Sequence, residues 1–182
     1  MREENDQRKA GIIPDRVADN DAVKFHKGCD ARWTKKNTQS YFGYKNHISI
    51  DNKHKLIRYF EVTSAEVKDS QKFVDVLSNY TSQDVIGDSA YGGEEYELTL
   101  KALNYRPLII KKALKNKPMT EGDKARNKRI SKNRARVEHV FGSITNEQGG
   151  LYSRVIGFAR TTVKVSMMNL TYNVKQFTFL CR

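Results

Sequence analysis

The feature that most constrains the fold is a ten-residue stretch, Asp84-Val-Ile-Gly-Asp-Ser-Ala-Tyr-Gly-Gly93, where a short apolar run stops at an acid and the chain breaks at paired glycines. Val85 and Ile86 predict a short buried strand, and a helical pattern begins at Glu94, so the unit reads as strand, turn and helix of an α/β fold. Open α/β sheets bind ligands beyond the carboxyl ends of their strands, which would aim Asp88 into such a crevice. Asp also opens turns through local hydrogen bonds, and position alone leaves both roles open.

A second acid lies downstream in Arg134-Ala-Arg-Val-Glu-His-Val-Phe-Gly142. Val137, Val140, Phe141 and Ile144 recur at helical spacing and define a buried stripe, and Glu138 falls roughly 110° from its centre at ~100° per residue. Glu138 is therefore expected on the helix flank, with Arg134 one turn earlier on the same side, able to pair with it or to hold a phosphate. Two carboxylates brought together repel unless a divalent cation bridges them, which makes Asp88 and Glu138 candidate metal ligands.

The chain has 182 residues, enough for one domain with a real core, and 38% of them are hydrophobic. No apolar run approaches the ~20 residues that span a bilayer, and the first thirty residues lack a secretory pattern. The cysteines, Cys29 and Cys181, match no metal-ligand spacing, which argues for a reducing cytoplasm and against zinc. The net charge is +12, and residues 106–136 account for most of it, with twelve Lys or Arg against Glu121 and Asp123. Such clustering is the footprint of a polyanion partner, with a solvated basic face as the alternative. Lys111, Lys112, Lys128, Arg129, Lys132, Arg134 and Arg136 are the candidate phosphate contacts.

Residues 1–30 mix seven acids with six bases and few large apolar groups, and read as a flexible lead. Trp33 either caps the core edge or stacks on a base. Residues 41–51 alternate, with Phe42, Tyr44, Ile48 and Ile50 on one face and Tyr41, Lys45, His47 and Ser49 on a wet one. With residues 55–63 they predict an antiparallel hairpin, and Lys45 and His47 would face phosphate. A helix is expected from Asp69 to about Tyr80, another over 94–104, and a strand at 108–110. Beyond a mobile basic loop at 111–124, the helix bearing Glu138 should run from about Lys124 to the break at Gly149-Gly150. A last helix, 161–180, sets Val163, Met167, Leu170, Val174 and Phe177 at heptad-like spacing, as a largely buried closing helix or a dimer seam.

The blocks Asp30-Ala-Arg-Trp-Thr-Lys-Lys, Tyr41-Phe-Gly-Tyr-Lys-Asn-His47, His54-Lys-Leu-Ile-Arg58, Val62-Thr-Ser-Ala65, Asp69-Ser-Gln71, Asp88-Ser-Ala-Tyr91 and Asn133 to Gly142 together resemble a DDE transposase of the insertion-sequence-five family. The resemblance implies a ribonuclease H-like mixed sheet flanked by helices over residues 31–182, with the basic segment at 106–146. It also implies two Mg²⁺ (or Mn²⁺) ions held by three acids, and DNA ends cut and joined by in-line attack at phosphorus. By position Asp88 is the second acid and Glu138 the third. The family's first acid lies on a strand upstream of anything matching this chain, so the first strand is expected to be missing. Lys68 and Gly92 stand where the family pattern has His and Arg.

These departures predict a truncated transposase, inactive alone. The alternative reading is a non-catalytic fragment that binds DNA or forms homo-oligomers or mixed oligomers with full-length transposase and so inhibits it. A nuclease on the same fold is a third.

Overall fold

The computed structural model describes residues 2–23, 28–36, 38–77, 82–113, 118–150 and 152–182. Two short helices come first, α1 (Arg2–Lys9) and α2 (Asp15–Ala18). The lead expected to be flexible thus carries helical turns, and Val17 within it is fully buried.

Strands β1 (Arg32–Lys36), β2 (Gln39–Ile50) and β3 (Ile57–Ser64) form an antiparallel sheet in the order β1-β2-β3. The hairpin is as expected. Its register pairs Tyr44 with Ser64 and His47 with Glu61, while β1 pairs with the first residues of β2, from Arg32↔Gly43 to Lys36↔Gln39. Trp33 belongs to β1 and lies 43% exposed against Phe42, at the surface and not at a core edge.

The Asp69 segment differs from expectation. In place of one helix there are two 3₁₀ turns, Asp69–Lys72 and Asp75–Leu77, and the expected end at Tyr80 lies outside the described residues. Asp and Ser compete with a regular helix through their own side-chain hydrogen bonds, and the tighter turns still bury Phe73, Val76 and Leu77. Val76 and Leu77 lie in the turn that packs on β2 and β3. The face of β2 expected to be wet is accordingly covered, and His47 and Ser49 are buried.

Strand β4 (Asp84–Gly87) pairs in parallel with β5 (Arg106–Ile109), and α3 (Glu94–Ala102) connects them. Leu100 of α3 is fully buried among Phe73, Leu77, Val85 and Ile109. Arg106 clamps the start of the pair, giving two hydrogen bonds to the Asp84 carboxylate at 2.6 and 2.7 Å. The strand expected at 108–110 therefore begins two residues earlier.

Helix α4 (Glu121–Gln148) starts at the Thr120 N-cap, whose hydroxyl accepts from the Asp123 N–H, and stops at Gly149 in the left-handed region (φ 63°). Helix α5 (Phe158–Leu180) packs with α4 on the first sheet. A second core joins Ile50, Ile57, Val140, Ile144 and Tyr172. Asn173 of α5 accepts from the Ile57 N–H and donates to the Ile57 carbonyl, both at 2.8 Å.

The result is a mixed α/β arrangement of antiparallel and parallel strands flanked by helices, consistent with a ribonuclease H-like fold. Among the described residues the strands form two separate sheets and not one.

Candidate functional site

Strand β4 delivers Asp88 to its position. Gly87 precedes it where a Cβ would come within 3.2 Å of the Tyr91 ring and 3.3 Å of Phe73, so a side chain there would have to push the stacked aromatic pair aside by a few tenths of an ångström. Asp88 opens a turn with one carboxylate oxygen and meets Arg134 with the other. Its Oδ1 accepts from the Ser89 N–H at 2.5 Å and the Ser89 hydroxyl at 3.1 Å, capping the turn Ser89–Tyr91. Its Oδ2 lies 3.1 Å from Arg134 Nη2.

The rotation of α4 about its axis brings Arg134 there. Val140 and Ile144 anchor the helix in the core, Ile130 is buried, and Arg126 donates to the Ile109 carbonyl at 2.8 Å, tying α4 to β5. The flank carrying Arg134 and Glu138 is left facing the end of β4. The same Nη2 atom lies 3.4 Å from Glu138 Oε1, so the two acids, from different elements, are at most two contact lengths apart. Glu138 is 62% exposed and Arg134 and Asp88 are each 36% exposed, so substrate can reach all three. As expected from the wheel, Glu138 stands on the flank beside the core.

Other predicted contacts are distributed differently. Lys128, Arg129 and Lys132 are exposed on α4, but at ~100° per residue they lie roughly 80–180° round the helix from Glu138, so the basic charge rings α4 without crowding the acids. Lys112 is exposed in the loop after β5. Lys111 pairs with Asp123 at 2.9 Å, and Arg136 donates to the Asn52 carbonyl at the β2–β3 turn.

Lys45 and His47 are not among the outward-facing cations. Lys45 donates to the Val67 carbonyl at 2.7 Å and lies 3.5 Å from Asp69. His47 bonds through Nε2 to the Thr63 hydroxyl at 2.8 Å, and its Nδ1 is 3.5 Å from Asp69. Burial, only partly offset by the Asp69 carboxylate, holds the His47 imidazole below its ordinary range. The strand alternation was read correctly, but the turns at 69–77 cover this face, and Lys45 and His47 tie that segment down.

The sequence reading gave no role to Tyr91. Burial pushes the Tyr91 phenol up to about 12, with the Asp69 and Asp88 carboxylates acting in the same direction, and its ring stacks on Phe73 with centroids 4.3 Å apart. The signal available in sequence was its place three residues after Asp88.

The donor set suits a hard divalent ion, because Mg²⁺ is commonly held by one or two carboxylates with water and substrate phosphate completing its shell. Asp88 Oδ2 and the Glu138 carboxylate are the oxygens that would hold one, and both face the Arg134 guanidinium. Among the described residues no group of three or more His, Cys, Asp or Glu is placed to hold a metal.

Residues 12–174 match the family model described as the transposase DDE domain. The chain belongs to this family of DDE transposases. A transposase for insertion sequence element IS1106 from Neisseria meningitidis serogroup B is 32% identical over 116 residues, 63% of this chain and 40% of that relative. No solved structure gives a significant match. In the DDE transposase chain no helix among the described residues is long and apolar enough to cross a membrane.

Proposed function

We propose that this DDE transposase chain handles insertion-sequence ends in the bacterial cytoplasm, with residues 31–182 as its phosphoryl-transfer unit and Asp88 and Glu138 as its carboxylate ligands for Mg²⁺ or Mn²⁺. The observation that carries the proposal is the single Arg134 nitrogen in contact with both acids. A bound divalent ion would polarise the scissile phosphate and favour the deprotonated attacking water or 3′-hydroxyl. The chain's own residues orient the reacting groups. Asp88, with one oxygen fixed by Ser89, presents the other at a defined angle, and Glu138 closes the opposite side. Arg134 exchanges its carboxylate contacts for a phosphate oxygen, a charge-assisted contact its planar fork suits. Lys112, Lys128, Arg129 and Lys132 hold duplex phosphates without reading sequence.

Two carboxylates position an ion pair less firmly than the three of the family pattern, so the 182-residue chain alone is proposed to lack strand transfer. The reading as a non-catalytic DNA-binding fragment is favoured by one observation, the neutralisation of both acids by Arg134 itself. Asp88→Ala and Glu138→Ala separate the two. The phosphoryl-transfer reading expects Mn²⁺ binding by calorimetry in the wild type and its loss in each variant, with DNA affinity unchanged or slightly tighter. Absence of Mn²⁺ binding in the wild type with DNA affinity intact would leave only the binding fragment. Robust Mg²⁺-dependent cleavage of terminal inverted repeats by this chain would refute the claim of inactivity.

A further inference from the structure

The arm formed by β1 and residues 39–43 of β2 reaches beyond β3, whose pairing with β2 ends at Tyr44. Its register sets Trp33 directly opposite Phe42, with ring centroids 5.2 Å apart and the planes tilted by 49°. Neighbouring side chains fix which face this is. Arg32 lies 3.8 Å from Glu66 and Lys45 donates to the Val67 carbonyl, so both point to the side of the segment that follows β3. Trp33 alternates to the other side, where Tyr44 meets the Phe158 ring at 5.9 Å and Asn46 donates to Asn169. Helix α5, which begins at Phe158, therefore covers this face of the sheet from Tyr44 onward, and the arm lies past its first turn. Trp33 is 43% exposed, Phe42 44% and Phe158 41%. We propose that this aromatic row, with Lys35 and Lys36 beside it, is a stacking platform for the unpaired bases of single-stranded DNA.

Three observations select that occupant. Cross-strand packing uses one side of each ring in the Trp33–Phe42 pair and leaves the outer faces bare, and a base offers the flat π-surface that such faces take up. Bases inside a duplex are already stacked on both sides, so only unpaired ones can reach the row. The row also steps along β2 from Phe42 to Tyr44 by roughly 7 Å, about two base steps, so its rings engage one strand at successive points. Finally, the charge matches a phosphate backbone. Residues 31–50 contain Arg32, Lys35, Lys36 and Lys45 and no acid. Arg32 and Lys45 are held on the opposite face, whereas the Lys35 and Lys36 ammonium groups are exposed and meet no acid or carbonyl among the described residues. An apolar protein partner would leave those two lysines facing no opposite charge.

The proposal rests on the reading of this chain as one that handles DNA ends, where fraying supplies unpaired bases, and it gives the arm a task separate from that of α4. Trp33 is the one tryptophan of the chain, so its emission reports on the arm alone. A short oligothymidylate is expected to quench that emission as it binds. Trp33→Ala should weaken binding of the same strand about ten-fold or more by fluorescence anisotropy, with affinity for blunt double-stranded DNA changed less than about two-fold and circular dichroism unaltered. Trp33→Phe keeps a ring and should restore most of the affinity. The Lys128, Arg129 and Lys132 triple alanine variant should act the other way, weakening duplex binding and leaving the quench at saturation intact. Emission unchanged with the strand bound, or equal loss of both DNAs in Trp33→Ala, would overturn the proposal while the duplex reading stands. Binding of neither DNA by the wild type would overturn both.

Discussion

Arg134 Nη2 sits 3.1 Å from Asp88 Oδ2, joining the end of β4 to the flank of α4 where Asp88 and Glu138 converge. Both partners are about one-third exposed, so the pair itself stabilises the fold by no more than about 1 kcal/mol. Its larger effect is to screen two carboxylates from each other. Arg134→Gln should lower stability by about that amount, and added Mn²⁺ should raise the melting temperature of the variant more than that of the wild type. An equal response of the two proteins would separate Arg134 from the ion site.

The small core around Leu100 holds β4, and through it Asp88, in place. Leu100→Ala should cost about 2–5 kcal/mol in urea unfolding, because the side chain is fully buried among Phe73, Leu77, Val85 and Ile109. Leu103→Ala, in a side chain 48% exposed, should stay within about 0.5 kcal/mol.

Acid should act on the start of α4. The Lys111 ammonium first, then the Thr120 hydroxyl, hold the Asp123 carboxyl at about 2 against an ordinary 3.8. A depressed carboxyl stabilises the fold fully above its unfolded value, and that contribution is lost as pH falls from 3.8 toward about 2. Asp123→Asn should flatten the decline of melting temperature in this window and leave its slope at higher pH unchanged.

Salt should report which cations touch DNA. Replacing Lys128, Arg129 and Lys132 by Ala together should reduce the slope of log affinity against log salt by about 3 if each neutralises one phosphate. His47→Ala should leave the slope unchanged, since that imidazole is turned into the protein. Both outcomes are read from one fluorescence-anisotropy titration series.

Much of this organisation was legible in the residues themselves. The alternation in β2, the strand stopping at Asp88, and the Gly149 helix stop each follow from local pattern, because each depends on neighbours within a few positions. Glu138 was placed on its flank for the same reason, since helical period alone fixes its angle to the stripe. Long-range packing decided the rest. Nothing local to Lys45 and His47 shows that the turns at 69–77 fold over them, and nothing local to α5 shows that its polar side faces the sheet. The heptad spacing of Val163 to Phe177 admitted either a buried face or a seam, and only the hydrogen bonds from Asn169, Asn173 and Gln176 decide which side turns inward.

The amide of Asn173 has one more effect. By giving and accepting a bond at Ile57 it imitates the peptide unit of an additional strand, so the outer rim of β3 is already occupied where it begins. A stray extended segment cannot dock there without first expelling that side chain, which guards a bare sheet margin against fibril-like growth at the position where the hairpin returns.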